Sequence, residues 1–288
     1  MRSWGRWGDS DERGALNRLS AESMLRGIAT VRAGVALSLG IPIAADGPVA
    51  GLRRPPQHFM TRDGGDYAAG LEERPGFGFA DDYLLIACHG TTHLDALSHI
   101  WRDGLMWNGF PASSVTSRGA SRCGIEKTGP IVTRAVFVDL VPDGEPGLPD
   151  GHEIALPELQ AALARGQTWL TSGDALLVRT GWLNRWRLGE ATTSVWPGLD
   201  GACGSWLDDQ GVVLVGADNM AVECYPSSDP GCDTPLHVSL IRDSGVYLME
   251  LCDLEDLART GRTEFLLIVS PLPIVGGVGS PVAPVAVL

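Results

Sequence analysis

Three histidines and one aspartate lie within eleven residues of the chain: His89, His93, Asp95 and His99. The whole chain of 288 residues contains six histidines, so half of them fall in this one stretch. Two imidazoles and a carboxylate suit Zn²⁺ or Mn²⁺ and leave coordination positions open for water. The stretch therefore predicts a divalent-metal site, although a core histidine or a turn-capping aspartate would explain each residue singly.

The spacing of these residues requires a bend in the chain. All four occupy odd-numbered positions, and residues two apart share one face of a strand. In a straight strand His89 and Asp95 would lie roughly 20 Å apart, whereas a metal–ligand bond is about 2 Å long. We therefore expect a strand that ends at Cys88, followed by a sharp turn through Gly90, which has no Cβ to restrict it.

A second group of candidate ligands is predicted near the end of the chain. Glu250 lies in an apolar strand pattern over 246–251 and shares a face with apolar residues. An unpaired carboxylate on a buried face is very costly, and a nearby cation removes that cost. His237 falls in the first turn of a preceding helix that opens at Thr234–Pro235, so it can point toward the same end of the sheet.

The elements that position these residues follow from the hydrophobic pattern. Apolar runs typical of strands occur at 83–88 and 134–140, and runs typical of buried strands occur at 175–180, 212–216 and 265–269. Helices are predicted over 21–32, with Ser20 as the N-cap, from Pro157 to Gly166, and from Pro235 to about Gly245. No linker, repeat or composition change divides the chain, so we predict one loop-rich α/β domain over residues 1–288 with a mixed β-sheet.

The charge balance narrows the choice of partners. The chain carries 22 basic and 35 acidic residues, a formal net charge of −13. Binding to polyanions requires basic surface, which makes nucleic acid and anionic membranes poor partners. We therefore predict neither nucleic acid nor a membrane surface as a partner.

Neither end of the sequence predicts export or membrane insertion. The first residues lack the apolar core of a signal peptide. Residues 265–288 carry no charge, but four prolines and three glycines interrupt them, and a lone helix in lipid would not satisfy the freed backbone groups. The six cysteines form no C-x-x-C pair, which is typical of reduced thiols in a cytoplasmic protein.

Other residues have two interpretations. Trp101 and Trp107 follow the histidine-rich stretch directly and are candidate substrate contacts, although large aromatic residues near a core more often serve packing. Cys88 adjoins His89, so a Cys–His nucleophile is an alternative in which the metal motif would be accidental.

Several segments resemble one known family. Residues 89–99 resemble the H-x-G-T-H-x-D-x-P-x-H signature of the cyclase family, which includes bacterial kynurenine formamidases and isatin hydrolases. Leu97 stands where the family usually has proline. The resemblance extends over nearly the whole chain, through segments at 4–5, 11–17, 173–174, 179–182, 216–219, 237–250 and 276–281.

This resemblance implies a swivelling β/β/α fold, assembly as a homodimer or homotetramer, and one or two bound divalent ions, Zn or Mn. Carried over residue by residue, it implies metal ligands at His89, His93 and Asp95, a general base or acid at His99, and ligands of a second ion at His237 and Glu250.

The reaction that the resemblance implies is hydrolysis of an amide-type C–N bond in a small-molecule substrate, either an N-formyl aryl amine or a cyclic amide. A bound divalent ion lowers the pKa of water from about 16 to about 7 and polarises the carbonyl. His99 titrates in the range needed to take the proton of water and return it to the leaving amine. Two alternatives stay open: a polyketide-type cyclase, lactonase or dehydratase with the same site, and a catalytically silent metal- or ligand-binding protein.

Overall fold

The computed structural model describes residues 2–71 and 76–288. Its strands are β1 (Ala36–Ser38), β2 (Gln57–Arg62), β3 (Asp81–Leu85), β4 (His93–Asp95), β5 (Val115–Thr116), β6 (Gly119–Ala120), β7 (Ile131–Asp139), β8 (Glu153–Ile154), β9 (Ala175–Arg179), β10 (Gly198–Leu199), β11 (Leu214–Ala217), β12 (Tyr247–Glu250), β13 (Glu264–Val269), β14 (Gly279–Pro281) and β15 (Val285–Val287). Its α-helices are α1 (Ala21–Ile28), α2 (Gly64–Ala68), α3 (Leu156–Arg165), α4 (Trp182–Arg187), α5 (Cys203–Gln210), α6 (Pro235–His237) and α7 (Glu255–Arg259). A π-helix, Val238–Ser244, continues α6, and short 3₁₀ turns cover Gly14–Arg18, Trp107–Gly109, Ala112–Ser114 and Ile125–Lys127.

Nine strands of the described ranges form one mixed sheet in the order β1-β15-β13-β7-β9-β11-β12-β4-β14. The four central strands β7, β9, β11 and β12 are parallel, and the strands on both sides join antiparallel. Strands β9, β11 and β12 are almost wholly buried. Parallel strands that are covered on both faces have continuous apolar sequences, so the apolar runs predicted them. The predicted α/β fold with a mixed sheet is confirmed.

Helix α3 matches its prediction, with proline in the first turn and Gly166 at its end. Helix α1 begins as predicted, because the Ser23 N–H donates to the Ser20 hydroxyl at 3.2 Å, but it ends at Ile28 rather than at residue 32. The N–H groups of Ala33 and Gly34 donate instead to the carbonyl of Leu288. Residues 29–32 therefore lie outside the helix and lead to this contact with the last residue.

The strand predicted over 83–88 is confirmed only in part, because it begins at Asp81 and does not reach Cys88. Strand β3 ends at Leu85 and pairs with β2 outside the main sheet. The pair, which we call the β2–β3 hairpin (57–62 and 81–85), exposes nearly every residue, with Tyr83 69% and Leu85 64% exposed. An apolar run predicts a strand but does not specify which surface will cover it.

The C-terminal residues lie against the histidine-rich stretch. Strand β14 pairs with β4 so that Gly279 is opposite Asp95 and Pro281 is opposite His93. The predicted strand at 265–269 is β13, near the other side of the sheet. Among the described residues, no helix is long and apolar enough to cross a membrane.

Candidate metal centre

The candidate site lies where β4 is held between β12 and β14. The chain turns before β4, where the Gly90 N–H donates to the carbonyl of Ala87 at 2.9 Å. Strand β4 then carries His93 and Asp95 on one face, two positions apart. Its antiparallel pairing with β12 places Glu250 directly opposite His93. The predicted bend and the predicted strand over 246–251 together bring the two candidate clusters into one site.

The donor atoms of five residues meet within a few ångströms. Asp95 Oδ1 lies 3.2 Å from His89 Nε2 and 3.5 Å from His93 Nε2. Asp95 Oδ2 lies 3.5 Å from His237 Nε2. The Glu250 carboxylate lies 3.1 Å from both His93 Nε2 and His237 Nε2. All five side chains are buried.

A glycine makes room for one of these donors. A Cβ built at Gly279 would lie only 2.5 Å from His89 Nε2. Any larger residue at this position would have to displace the imidazole. The C-terminal residues therefore form one wall of the site.

The chemistry of the donor set fits a cation. Among the described residues, five of the converging atoms have no hydrogen-bond partner: His89 Nε2, His93 Nε2, both Asp95 carboxylate oxygens and Glu250 Oε1. Buried polar atoms are normally satisfied, and leaving them unpaired is costly. Two groups have the close spacing needed to hold a metal ion: one of His89, Asp95 and His99, the other of His93, Asp95 and Glu250. Asp95 belongs to both groups, so its carboxylate would be common to both positions if two ions bind.

In two of these histidines, the ring nitrogen that does not face the site, Nδ1, makes a hydrogen bond. His93 Nδ1 lies 2.7 Å from the carbonyl of Thr91, which accepts the Nδ1 proton. His237 Nδ1 hydrogen-bonds the Glu223 carboxylate. When such a ring is neutral, the proton held at Nδ1 leaves its Nε2 lone pair directed at the carboxylates of the site. Lone pairs facing carboxylate oxygens repel one another unless a cation lies between them, which is the arrangement of a metal ligand set.

Glu223 is a site residue that the sequence reasoning missed. Its buried carboxylate accepts hydrogen bonds from the N–H groups of Leu236 (2.7 Å) and His237 (3.0 Å), as well as from the His237 ring. It thereby caps the N-terminus of α6. Thr234, where the sequence predicted that this helix opens, makes no side-chain capping bond. The available signal was a lone glutamate within an otherwise apolar run over 220–225.

The buried charges shift one another's pKa values. Burial would raise the pKa of Asp95, but His99, His237 and His89 hold that pKa well below its usual value. Burial would lower the pKa of His237, but Glu223 and Asp95 raise it well above normal. In the same way the pKa of His93 is raised, chiefly by Glu250 acting against burial. The carboxylates are therefore ionised, and a binding cation must displace protons from the imidazoles.

His99 differs from the other histidines of the site. Burial lowers the pKa of His99 to about 4, below the near-neutral range expected from the sequence, so its ring is neutral at pH 7. The ring stacks on His89 with centroids 4.2 Å apart. It also lines a cavity of about 180 Å³ next to His237 and Glu250. A neutral imidazole facing a cavity beside the candidate ligands is in a position to accept a proton.

The aromatic residues at this cavity are not the ones proposed from the sequence. Among the described residues that line it, the large aromatic side chains are Trp196 and Tyr225. Trp107 is fully buried in the core, where its ring lies 6.1 Å from that of Trp7. Trp101 is 50% exposed and is absent from this lining. A position directly after the histidine-rich stretch in the sequence therefore did not predict which aromatic rings lie at the site.

The neighbouring polar residues have structural roles. Asp218 accepts hydrogen bonds from the N–H groups of Thr180 (2.8 Å) and Gly181 (2.7 Å), which fixes the turn before α4. Asn219 accepts from the Val222 N–H at 2.7 Å and so shapes the loop that carries Glu223. Burial raises the pKa of the Cys88 thiol, the opposite of what a nucleophilic thiolate needs.

Comparisons with known proteins agree with this geometry. The cyclase family model matches residues 37–224. The chain is similar to a crystal structure described as a novel cyclase, with 37% identity and a TM-score of 0.90. That alignment covers 100% of this chain and 98% of the other. No curated protein matches the chain.

More distant structures share the fold. Isatin hydrolase A from Ralstonia solanacearum is 20% identical with a TM-score of 0.65, and the alignment covers 93% of this chain and 97% of that one. An isatin hydrolase bound to the product analogue thioisatinate is 17% identical with a TM-score of 0.66, and the coverage is 94% and 99%. The family model and the 37% identical structure together show that the chain belongs to the cyclase family.

Proposed function

We propose that this protein is a divalent-metal-dependent hydrolase that cleaves an amide-type C–N bond, in an N-formyl aryl amine or a cyclic amide. The observation that carries the proposal is the convergence of five buried, unpaired donor atoms on one point beside a cavity. The distant likeness to isatin hydrolases is in keeping with this reaction class.

His89, His93, Asp95, His237 and Glu250 would hold one or two ions. The donor groups share Asp95, and the spacing places His93 with Glu250 rather than with His89. A bound Zn²⁺ or Mn²⁺ supplies Lewis-acid activation of water and of the substrate carbonyl. Hydrogen bonds from outside the centre fix the orientation of two of these rings: the Thr91 carbonyl accepts from His93, and the Glu223 carboxylate accepts from His237. Such partners hold the imidazoles in the tautomer that binds metal.

His99 would move the proton. Its neutral ring accepts a proton from the attacking water and returns it to the nitrogen that leaves, while the bond between that nitrogen and the carbonyl carbon breaks. The products are a carboxylic acid and a free amine, or a ring-opened amino acid in the case of a cyclic amide. Neither step requires an oxidant or a further cofactor.

The test combines metal analysis with a substrate panel. The purified protein should contain about one or two equivalents of Zn or Mn per chain, and a crystal's anomalous scattering should locate them between His89, Asp95 and Glu250. A panel of formanilides, isatins and lactones should show amine release that chelation abolishes. Lactone turnover without amine release would favour the cyclase or lactonase reaction, and a metal-free active protein would contradict the proposal.

His99→Ala separates catalysis from metal binding. We expect the variant to retain its metal while kcat falls by about 100-fold or more, because general-base catalysis contributes on the order of 10²–10⁴. Loss of the metal in this variant would instead make His99 a ligand. A wild-type protein that binds metal but converts no compound of the panel would favour a silent binding protein.

We also propose that the protein assembles as a homodimer or homotetramer, as the family resemblance implied. Support comes from the β2–β3 hairpin, whose apolar side chains are exposed on both strands. A two-stranded hairpin is only marginally stable in water by itself. A second copy of the chain, which is always present at equal concentration, would cover this surface.

A further inference from the structure

We propose that the site selects aromatic substrates that carry an anionic group, and that Arg53 together with Trp196 and Tyr225 forms the subsite that recognises them. The proposal deepens the hydrolase function and rests on it for the reaction. The binding preference itself depends only on the side chains described below.

Two cavities connect the metal centre to these residues. The inner cavity, of about 180 Å³, is bounded by His99, His237 and Glu250. An outer cavity of about 690 Å³ adjoins it. The two share the same four lining residues, Ala50, Arg53, Trp196 and Tyr225. A ligand whose reactive carbonyl lies at the metal centre would therefore extend past Arg53.

Arg53 supplies a positive charge that the described part of the chain does not neutralise. Buried arginines elsewhere are paired, as Arg134 is with Asp174 and Arg179 with Glu255. Arg53 is half-buried, and no described carboxylate lies within ion-pair distance of it, although the chain carries 35 acidic residues. The described lining of the outer cavity contains no acidic residue. A free guanidinium in such a place matches a carboxylate or a similar planar anion.

Trp196 and Tyr225 form a flat apolar wall next to this charge. Their rings stack with centroids 4.8 Å apart and an interplanar angle of 21°. Their backbones are hydrogen-bonded to each other in both directions, at 3.0 and 3.1 Å. Trp196 is buried and Tyr225 is half-buried, so the part of this pair that faces the cavities offers an aromatic ligand a flat apolar contact.

The wall is fixed relative to the metal centre. The Trp196 indole N–H donates to the carbonyl of Glu223 at 3.0 Å. The carboxylate of the same residue holds the His237 ring. One residue thus connects the aromatic wall to a candidate metal ligand, so the distance between the two is set by the fold. Recognition of a ring with an anionic substituent would place the scissile bond at the metal centre.

The first experiment measures binding without any reaction. Calorimetry would compare benzoate with neutral benzamide on the metal-loaded protein, for the wild type, Arg53→Gln and Arg54→Gln. Arg54 is the matched control because it is the adjacent, exposed arginine and does not line either cavity. We expect benzoate to bind more tightly than benzamide, and Arg53→Gln to weaken benzoate by about 10- to 100-fold, the range of a lost charged hydrogen bond. Benzamide binding and the Arg54→Gln variant should change by less than about twofold.

The second experiment measures turnover of 2-, 3- and 4-formamidobenzoate against formanilide. Arg53→Gln should lower kcat/KM for the best formamidobenzoate through KM, leave formanilide nearly unchanged, and be partly rescued by Arg53→Lys. An anion preference that persists in Arg53→Gln would mean that the metal binds the anion, and would overturn the subsite. An Arg53-dependent benzoate preference in a protein that hydrolyses no amide would support the subsite and contradict the hydrolase function instead.

Discussion

The metal centre buries charged groups, whereas the β2–β3 hairpin exposes apolar ones. Each arrangement is the reverse of the usual distribution in a folded protein. At the centre, carboxylates and imidazoles are buried among the central strands, and several of their atoms lack a hydrogen-bond partner within the described chain. In the hairpin, apolar residues such as Tyr83 and Leu85 are exposed to solvent. The two regions are close in sequence, since only a few residues separate β3 from His89.

The difference teaches that each region lacks something the single chain does not supply. Buried charges are costly without a counter-charge, so a cation would stabilise the centre. Exposed apolar patches are unfavourable in water, so the hairpin requires a covering surface. A metal ion would satisfy the first region, and a second copy of the chain would satisfy the second. The following experiments test whether these two requirements are separate.

The largest effect is expected from Asp95→Asn, because Asp95 belongs to both groups of donor atoms. The substitution removes the charge that the two ligand groups share, and we expect activity to fall by about three orders of magnitude, equivalent to about 4 kcal/mol. Metal content per chain, measured by elemental analysis, should fall with it. Asp143→Asn, at an exposed position, is the control and should match the wild type. Full metal content in Asp95→Asn would contradict the proposed ligand set.

Metal affinity should decrease as the pH falls. The pKa values of His93 and His237 are raised by the carboxylates around them, so these rings hold protons that a metal must displace. Each displaced proton lowers the apparent affinity by up to tenfold per pH unit below the pKa of the ring, or up to about 100-fold between pH 8 and pH 6. Competition with a chelator at both pH values measures this change. A pH-independent affinity would show that neither imidazole is a ligand.

Glu223→Gln should have a smaller effect on the same quantity. Glutamine keeps the size of the side chain but removes the negative charge that orients and polarises His237. Loss of such an outer partner typically lowers metal affinity by about 10-fold or somewhat more. The Co²⁺-loaded protein should also change its visible spectrum, which a purely structural role would not alter. Glu158→Gln, which removes the negative charge beside His152 at a residue that lines neither cavity, is the matched control.

The smallest effect on the centre is expected from the hairpin. Replacing Tyr83 and Leu85 by lysine adds charge to its exposed apolar face and should shift the molar mass, measured by light scattering, toward that of the monomer. Metal affinity should change by less than about twofold, because exposed substitutions have small effects on the fold. Leu188→Lys, an exposed leucine outside the hairpin, should leave the assembly unchanged. A monomeric wild-type protein would contradict the assembly, and metal loss in the hairpin variant would show that the two regions are coupled.

Several features of the site could be predicted because they depend on neighbours in sequence. The two-residue spacing of His93 and Asp95 puts both on one strand face, and the apolar run around Glu250 predicts a buried carboxylate. The role of Trp107 could not be predicted, since both a core position and a cavity wall favour a large aromatic residue. Glu223 was missed because its partners, Leu236 and His237, lie on a separate helix.

The sequence by itself determined the donor types, their spacing, the need for a bend and the apolar runs of the central sheet. These features depend on side-chain chemistry and on local backbone geometry, and both are set by residues that are close together in the sequence. Only the tertiary structure decided that Gly279 leaves room for His89, that Glu223 holds His237, and that β3 leaves the sheet for an exposed hairpin. Those outcomes depend on which distant segments pack against one another, and hydrophobicity along the chain does not specify the partner.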